Sequence, residues 1–122
     1  MAIPPTAAKF RDSLDPHEIL EWVAPCSTLL ESDEQIEEDY ELAVLAEGAA
    51  LGLTIMEGDD RDHKRTNENR DIELWLTIDD AFKGNAAFDG SGVNLPLEIS
   101  FWTSSTPPRR RNRIFLIQVV QK

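Results

Sequence analysis

Residues 72–78 read Ile-Glu-Leu-Trp-Leu-Thr-Ile, and this stretch decides the predicted fold. Apolar residues occupy alternate positions from Ile72 to Ile78, which is the period of a β-strand with one buried face. Two other segments, 51–56 and 95–101, alternate in a similar way, and 113–121 is apolar on both faces. The sequence therefore predicts four strands, all of them after residue 50.

Two earlier segments carry the signals that begin a helix. Asp15-Pro16-His17-Glu18 combines a capping aspartate, a proline at the first helical position and a glutamate at the third, which predicts a short helix that ends before Pro25. Ser32-Asp33-Glu34-Gln35 is a second capping-box signature and predicts a helix over 33–47, with Gly48 as its stop. A strand over 40–46 is the alternative interpretation of this second segment.

The order of these elements indicates an α+β domain. We expect two N-terminal helices packed on a four-stranded antiparallel sheet, with a short helical turn, capped by Asp79 or Asp80, between strands 2 and 3. Residues 1–11 are expected to be an extended tail, and 12–122 a single domain, since 122 residues suit one core.

Charge divides the chain into an acidic part and a weakly basic part. The net charge is −11, and fifteen of the 23 acidic residues lie between Asp12 and Asp60, where there is no lysine or arginine. After Glu98 there is no acidic residue at all. A charge this negative repels nucleic acids and anionic membranes at long range, so a basic protein is the expected partner and nucleic acid an unlikely one.

Carboxylates on one face of the second predicted helix form the first candidate site. Like charges three or four residues apart lie side by side on a helix and destabilise it slightly. Two interpretations are open: a solvated face, or a face that binds a basic protein, in its sharpest form by imitating nucleic-acid phosphates. The residues of this acidic face are Glu34, Glu37, Glu38, Asp39 and Glu41.

The second face of the predicted sheet is the next candidate, because two short helices cannot cover both faces. A second copy of the chain or another partner is the simplest cover, since paired identical patches make the commonest oligomers and tryptophan-rich patches are typical of binding sites. The alternative is that the tail or the loop 57–70 folds over this face. The predicted interface residues are Trp75, Trp102, Phe115 and Ile117.

A cluster of arginines marks a predicted hairpin tip, and it suggests a nucleic-acid or phosphate binder as the alternative function. An acidic patch on a partner and a solvated loop that protects strand edges are the other interpretations of this cluster. Its members are Arg109, Arg110, Arg111 and Arg113.

No motif predicts catalysis, a cofactor or a metal. The loop 57–63 fails the EF-hand pattern, and no phosphate loop, dinucleotide fingerprint or Gly-x-Ser-x-Gly elbow occurs. A small metal-dependent enzyme centred on that loop is therefore only a minor alternative. The N-terminus lacks the features of a signal peptide and no segment is long enough to span a membrane, so a cytoplasmic protein is expected.

Together these observations predict a non-catalytic protein-interaction module whose acidic helical surface binds a basic protein. An inhibitor that mimics nucleic acid and a chaperone-like adaptor both fit this description, and a homodimer is possible.

Overall fold

The computed structural model describes residues 7–122 and shows a mainly β protein. Its strands are β1 (Ala8–Leu14), β2 (Leu20–Pro25), β3 (Glu41–Val44), β4 (Leu53–Ile55), β5 (Lys64–Thr66), β6 (Asp71–Ile78), β7 (Val93–Trp102) and β8 (Arg110–Val119). They form two sheets, one in the order β1-β8-β7-β3 and one in the order β2-β6-β4, with β5 also paired to β6. The two sheets enclose a single core.

Helical structure is confined to single turns in this part of the chain. The α-helix α1 (Ala46–Ala49) has four residues, and short 3-10 turns occur at Ser27–Leu29, Asp80–Phe82 and Ala86–Phe88. The Asp79 carboxylate accepts a hydrogen bond of 3.0 Å from the Ala81 N–H, so the predicted capped turn after Ile78 is confirmed. No helix formed by residues 7–122 has the length and apolar character needed to cross a membrane.

The prediction of an α+β fold with two N-terminal helices is wrong. Around Asp15 half of the capping box forms, because the Glu18 carboxylate accepts from the Asp15 N–H at 2.8 Å, whereas the Asp15 carboxylate accepts from the His17 N–H. The Glu18 N–H donates to the Asp15 carbonyl at 2.9 Å. They close one turn, and the chain then enters β2, which pairs with β6 over six residues. The β-branched Val23 and the aromatic Trp22 suit this strand better than a helix.

The second predicted helix, over 33–47, is replaced by a turn and β3. The Glu34 carboxylate accepts from the Glu31 N–H at 2.8 Å, again closing one turn without a helix after it. Ile36 forms an isolated bridge with Thr103, and β3 pairs antiparallel with β7. The alternative interpretation of 40–46 as a strand is therefore the better one. A helix here would place four unneutralised carboxylates side by side, and its first turn would be costly to nucleate.

The core lies between the two sheets, so a second sheet covers the apolar face that helices were predicted to cover. Residues directly opposite each other in a ladder share a face. Phe115 is opposite Leu97 and Ile117 is opposite Leu95, so both point into the core, and they are 2% and 0% exposed. Ile114 lies on the outer, half-buried face of β8. The prediction had assigned the two faces of β8 the other way round.

Two strands lie where the sequence predicted irregular structure. β1 begins at Ala8 and pairs parallel with β8, so residues 8–11 of the predicted tail belong to a sheet. The rest of that tail, apart from Ala7, lies outside the described residues. β5 lies within the predicted loop 57–70 and pairs with β6.

The orientation of β8 can be tested by truncating two neighbouring side chains. Phe115→Ala removes a ring that is buried between the sheets, and we expect it to lower the free energy of unfolding by about 3–5 kcal/mol. Ile114→Ala, its matched control on the outer face, should cost no more than about 1 kcal/mol. Urea unfolding followed by circular dichroism measures both. If Ile114→Ala lowered the free energy of unfolding more than Phe115→Ala, then the other face of β8 would be the one that is buried in the core.

Candidate interaction surface

The pair of Glu34 and Arg109 joins two regions that are far apart in the sequence. Arg109 donates from Nε to Glu34 Oε2 at 3.1 Å and from Nη2 to Glu34 Oε1. Glu34 is 3% exposed, whereas the side chain of Arg109 is about one-third exposed. A planar guanidinium that contacts both carboxylate oxygens is the strongest geometry for such a pair. This pair attaches the acidic segment, residues 31–41, to the hairpin between β7 and β8.

The surroundings of Glu34 stabilise its charged form. The hydrogen bonds from Arg109 lower the pKa of Glu34 well below its ordinary value, and the Glu31 N–H lowers it further. Desolvation by burial acts in the opposite direction but is the smaller effect. Glu34 is therefore a structural residue, and it is removed from the exposed acidic face in which the sequence analysis placed it.

Backbone and side-chain hydrogen bonds hold the rest of the acidic segment in place. The Gln35 N–H donates to Ser104 Oγ at 2.8 Å, and the Glu37 N–H donates to the Trp102 carbonyl at 2.9 Å. From the other side, Arg70 Nη1 donates to the Glu34 carbonyl at 2.7 Å. The segment is thus anchored to both β7 and the loop before β6.

Beyond this anchor, the acidic segment presents exposed carboxylates. Three of them border an open groove of about 580 Å³ together with Trp102 and residues of the loop 103–108, and Glu41 lies outside this groove. We call these carboxylates, Glu37, Glu38, Asp39 and Glu41, the acidic surface. Within residues 7–122, only Glu41 among them has a basic group within ion-pair distance.

Trp102 and Arg110 lie directly beside the acidic surface. Trp102 is 40% exposed and is paired across the ladder with Arg110. The Arg110 guanidinium lies 5.5 Å from the centre of the Trp102 ring, within the range of a cation–π contact, and 3.9 Å from the Glu41 carboxylate. The sequence predicts carboxylates, tryptophans and arginines as three separate candidate groups. Members of all three groups therefore lie next to each other at this place.

The other predicted interface residues do not join this surface. Phe115 and Ile117 belong to the core. Trp75 lies on the outer face of the other sheet, with the Arg61 guanidinium 5.5 Å from the centre of its ring. One side chain of the loop 57–70 thus packs on Trp75, which is half-buried.

The four arginines of the predicted hairpin are divided between different roles. Arg109 binds Glu34, and Arg110 contacts Trp102 near Glu41. Arg111 and Arg113 are half-buried in β8, opposite Phe101 and Ile99. The cluster is therefore not one continuous exposed basic patch, and no observation favours the nucleic-acid alternative.

The loop 57–63 makes contacts that do not resemble a metal site. Asp62 accepts from the Gly58 N–H at 2.8 Å, and Tyr40 Oη lies 2.7 Å from His63 Nδ1. Within residues 7–122, no three histidine, cysteine, aspartate or glutamate side chains are grouped so that they could hold a metal ion.

Sequence analysis missed the contribution of the loop 103–108 to this site. Thr103 is buried, and its hydroxyl accepts from the Arg109 N–H at 2.9 Å and lies 2.9 Å from Ser105 Oγ. These contacts position Arg109 toward Glu34. Serines and threonines between two strands carry no sequence signal beyond that of a loop, so the residues could not have been singled out.

The acid sensitivity of the fold tests the Glu34–Arg109 pair. Because the pKa of Glu34 lies below its ordinary value of 4.5 in the folded state, the stabilisation is complete above pH 4.5 and is lost as the pH falls through the folded pKa. We expect Glu34→Gln to be less stable than the wild type at pH 7, and the difference to shrink on acidification. Urea unfolding at a series of pH values measures this difference.

Asp15 provides the internal control for this titration. Its pKa is also lowered, chiefly by the hydrogen bond from the His17 N–H, so part of the acid sensitivity must remain in Glu34→Gln. A constant stability difference between the two proteins from pH 7 to strongly acidic conditions would contradict the role of Glu34.

Comparison with models of known protein families, with curated proteins and with solved structures finds no match.

Proposed function

We propose that this protein is a non-catalytic interaction module whose acidic surface binds a basic protein. The observation that carries this proposal is the combination of exposed carboxylates with an exposed tryptophan beside them. Carboxylates attract lysine and arginine, and an aromatic ring next to them adds cation–π and apolar contact. Since Glu37, Glu38 and Asp39 lack an ion-pair partner in the described part of the chain, their charge is available to a partner.

Arg110 supports the kind of partner that we propose. Its guanidinium sits between the Trp102 ring and the Glu41 carboxylate, at 5.5 Å and 3.9 Å. A partner's arginine placed over the free side of Trp102 would find the same two kinds of group, with Glu37 and Glu38 in the role of Glu41. An arginine-rich segment is therefore a better match than a lysine-rich one, because the planar guanidinium can stack on the ring as well as pair with carboxylates.

The anchoring of the acidic segment also favours binding. Its backbone is fixed to Trp102 and Ser104, so little conformational entropy would be lost when a partner docks. A flexible acidic tail would lose more conformational entropy on binding. Depending on what the basic partner does, such a surface would act as an inhibitor that occupies a nucleic-acid-binding site or as an adaptor.

Charge reversal at the acidic surface tests the proposal. Replacing Glu37 and Glu38 by lysine changes the net charge from −11 to −7, since each substitution adds two charges. We expect the variant to lose most of its affinity for an oligo-arginine peptide, and the affinity of the wild type to fall as sodium chloride is raised. Isothermal titration calorimetry measures both.

A matched control separates a local site from general attraction. Glu57→Lys combined with Asp89→Lys makes the same change in net charge at exposed positions elsewhere. This control should retain the affinity of the wild type, whereas Trp102→Ala should weaken binding about tenfold. Equal losses in the two double variants, or none in either, would refute a defined acidic site.

A further inference from the structure

The open edge of β2 differs from the other sheet edges of this protein. Natural sheets protect their edges with short strands, bulges and charged residues. The β1 edge carries Lys9 and Arg11 and an irregular register between Lys9 and Ser13, and β3, β4 and β5 have only three or four residues each. β2 pairs with β6 over six residues in unbroken register, its one charged residue is Glu21, and its one proline, Pro25, lies at the last position.

The hydrogen bonds of β6 show which backbone N–H and C=O groups of β2 point away from the sheet. On the β4 side, the Met56 N–H donates to the Trp75 carbonyl at 2.9 Å and the Asp79 N–H to the Gly52 carbonyl at 2.8 Å. The backbone N–H and C=O groups of odd-numbered β6 residues therefore form hydrogen bonds with β4, and those of even-numbered residues form hydrogen bonds with β2. Their partners in β2 are Leu20, Trp22 and Ala24. The N–H and C=O groups of Glu21 and Val23 consequently point away from the sheet.

These outward groups are free among the described residues, and apolar side chains accompany them. No described residue forms a hydrogen bond with the outward backbone groups of Glu21 or Val23. Val23 is 47% exposed and Ile19 is 41% exposed, and with Trp102 they are the exposed large hydrophobic residues of the described chain. An edge that offers both free backbone groups and apolar side chains is suited to strand addition.

A groove of about 510 Å³ runs beside this edge, between residues 10–13 of β1 and residues 20–23 of β2. Trp22 is 92% buried at its wall, and its indole Nε1–H has no acceptor in the described part of the chain. A buried donor without an acceptor is uncommon in a folded protein and calls for a partner group. The open volume of the groove leaves room along β2 for another strand.

The charges of the groove favour a second copy over a basic partner. Arg11 and Lys122 line it together with Asp12 and Glu21, so both signs are present in equal number. The acidic surface is different, because its four carboxylates have a single neighbouring cation within ion-pair distance in residues 7–122, which is Arg110. A surface of mixed charge can complement itself across a two-fold axis, whereas a uniformly acidic one cannot.

We propose that two copies of this chain pair antiparallel through their β2 edges, with the two-fold axis at Trp22. In that register Glu21 of one copy is opposite Val23 of the other, and all the outward N–H and C=O groups of these two residues are paired. The Ile19 N–H would donate to the Pro25 carbonyl of the second copy, which suits a proline that has no N–H to pair. The sheets of the two copies would join in the order β4-β6-β2-β2-β6-β4.

Val23→Pro tests this pairing without removing a hydrogen bond inside the chain. The Val23 N–H points away from β6, so the proline removes only the donor at the open edge, where proline is tolerated. We expect sedimentation velocity over a concentration series to show a monomer–dimer equilibrium for the wild type. The proline variant should dimerise at least about tenfold more weakly, because two intermolecular bonds are lost by symmetry.

A second pair of variants keeps the test valid if Val23→Pro fails to fold. Val23→Lys places a charge on the open edge, and Ala43→Lys adds the same charge at an exposed position of β3. Only Val23→Lys should weaken the dimer. Hydrogen exchange gives a direct readout, because the Glu21 and Val23 amides should be protected in the dimer and should exchange rapidly on dilution.

Salt separates this proposal from the binding of a basic protein. Two chains of net charge −11 repel each other, so added salt should strengthen the dimer, whereas it should weaken binding at the acidic surface. A wild type that stays monomeric at every concentration would overturn the pairing. So would a dimer unaffected by Val23→Pro and Val23→Lys, or amides of Glu21 and Val23 protected equally at all concentrations.

Discussion

The buried pair of Glu34 and Arg109 is the constraint on which the arrangement of the acidic surface depends. Glu34 and Arg109 are 75 residues apart in the sequence, so their pair joins the acidic segment to the start of β8. Because Glu34 is almost fully buried, the pair must be complete, since a lone charge there would be strongly destabilising. Forming it places the next carboxylates beside Trp102 and fixes their backbone there.

Two kinds of carboxylate therefore occur in the acidic segment, although the sequence presents them as one run. Glu34 is neutralised by Arg109 and closes a turn through the Glu31 N–H. Glu37, Glu38 and Asp39, which follow within five residues, are exposed. The first supports the fold and the others are available for binding. Because they are closely spaced, one run of acidic residues contributes both to the fold and to the exposed acidic surface.

Sequence reasoning predicted the strands that alternate clearly, but not the elements between them, and of the residues it singled out Glu34, Phe115 and Ile117 are buried. Residues 71–78 and 93–102 alternate because one face of each strand is buried, and the capped turn at Asp79 is a local feature. β2 was missed because the bond from the Asp15 N–H to the Glu18 carboxylate forms as in a capping box, yet closes only a single turn. β3 was only the alternative to a helix because Ser32–Gln35 carries a capping-box signature, whereas the bond that forms joins the Glu31 N–H to the Glu34 carboxylate. Whether a helix follows such a turn is decided by pairing with β6 and β7, which lie more than fifty residues away. The faces of β8 could not be assigned either, because both are apolar.

The most direct measurement of the central claim is an NMR titration of the Glu34 side-chain carboxyl carbon in the wild type and in Arg109→Gln. The account predicts that the pKa of Glu34 lies well below its ordinary value of 4.5 in the wild type and rises toward that value in the variant. It also predicts that the amide signals of Glu37 and Trp102 change in the variant, because the acidic segment loses its anchor. An ordinary pKa of Glu34 in the wild type, or no response to the loss of Arg109, would contradict the account.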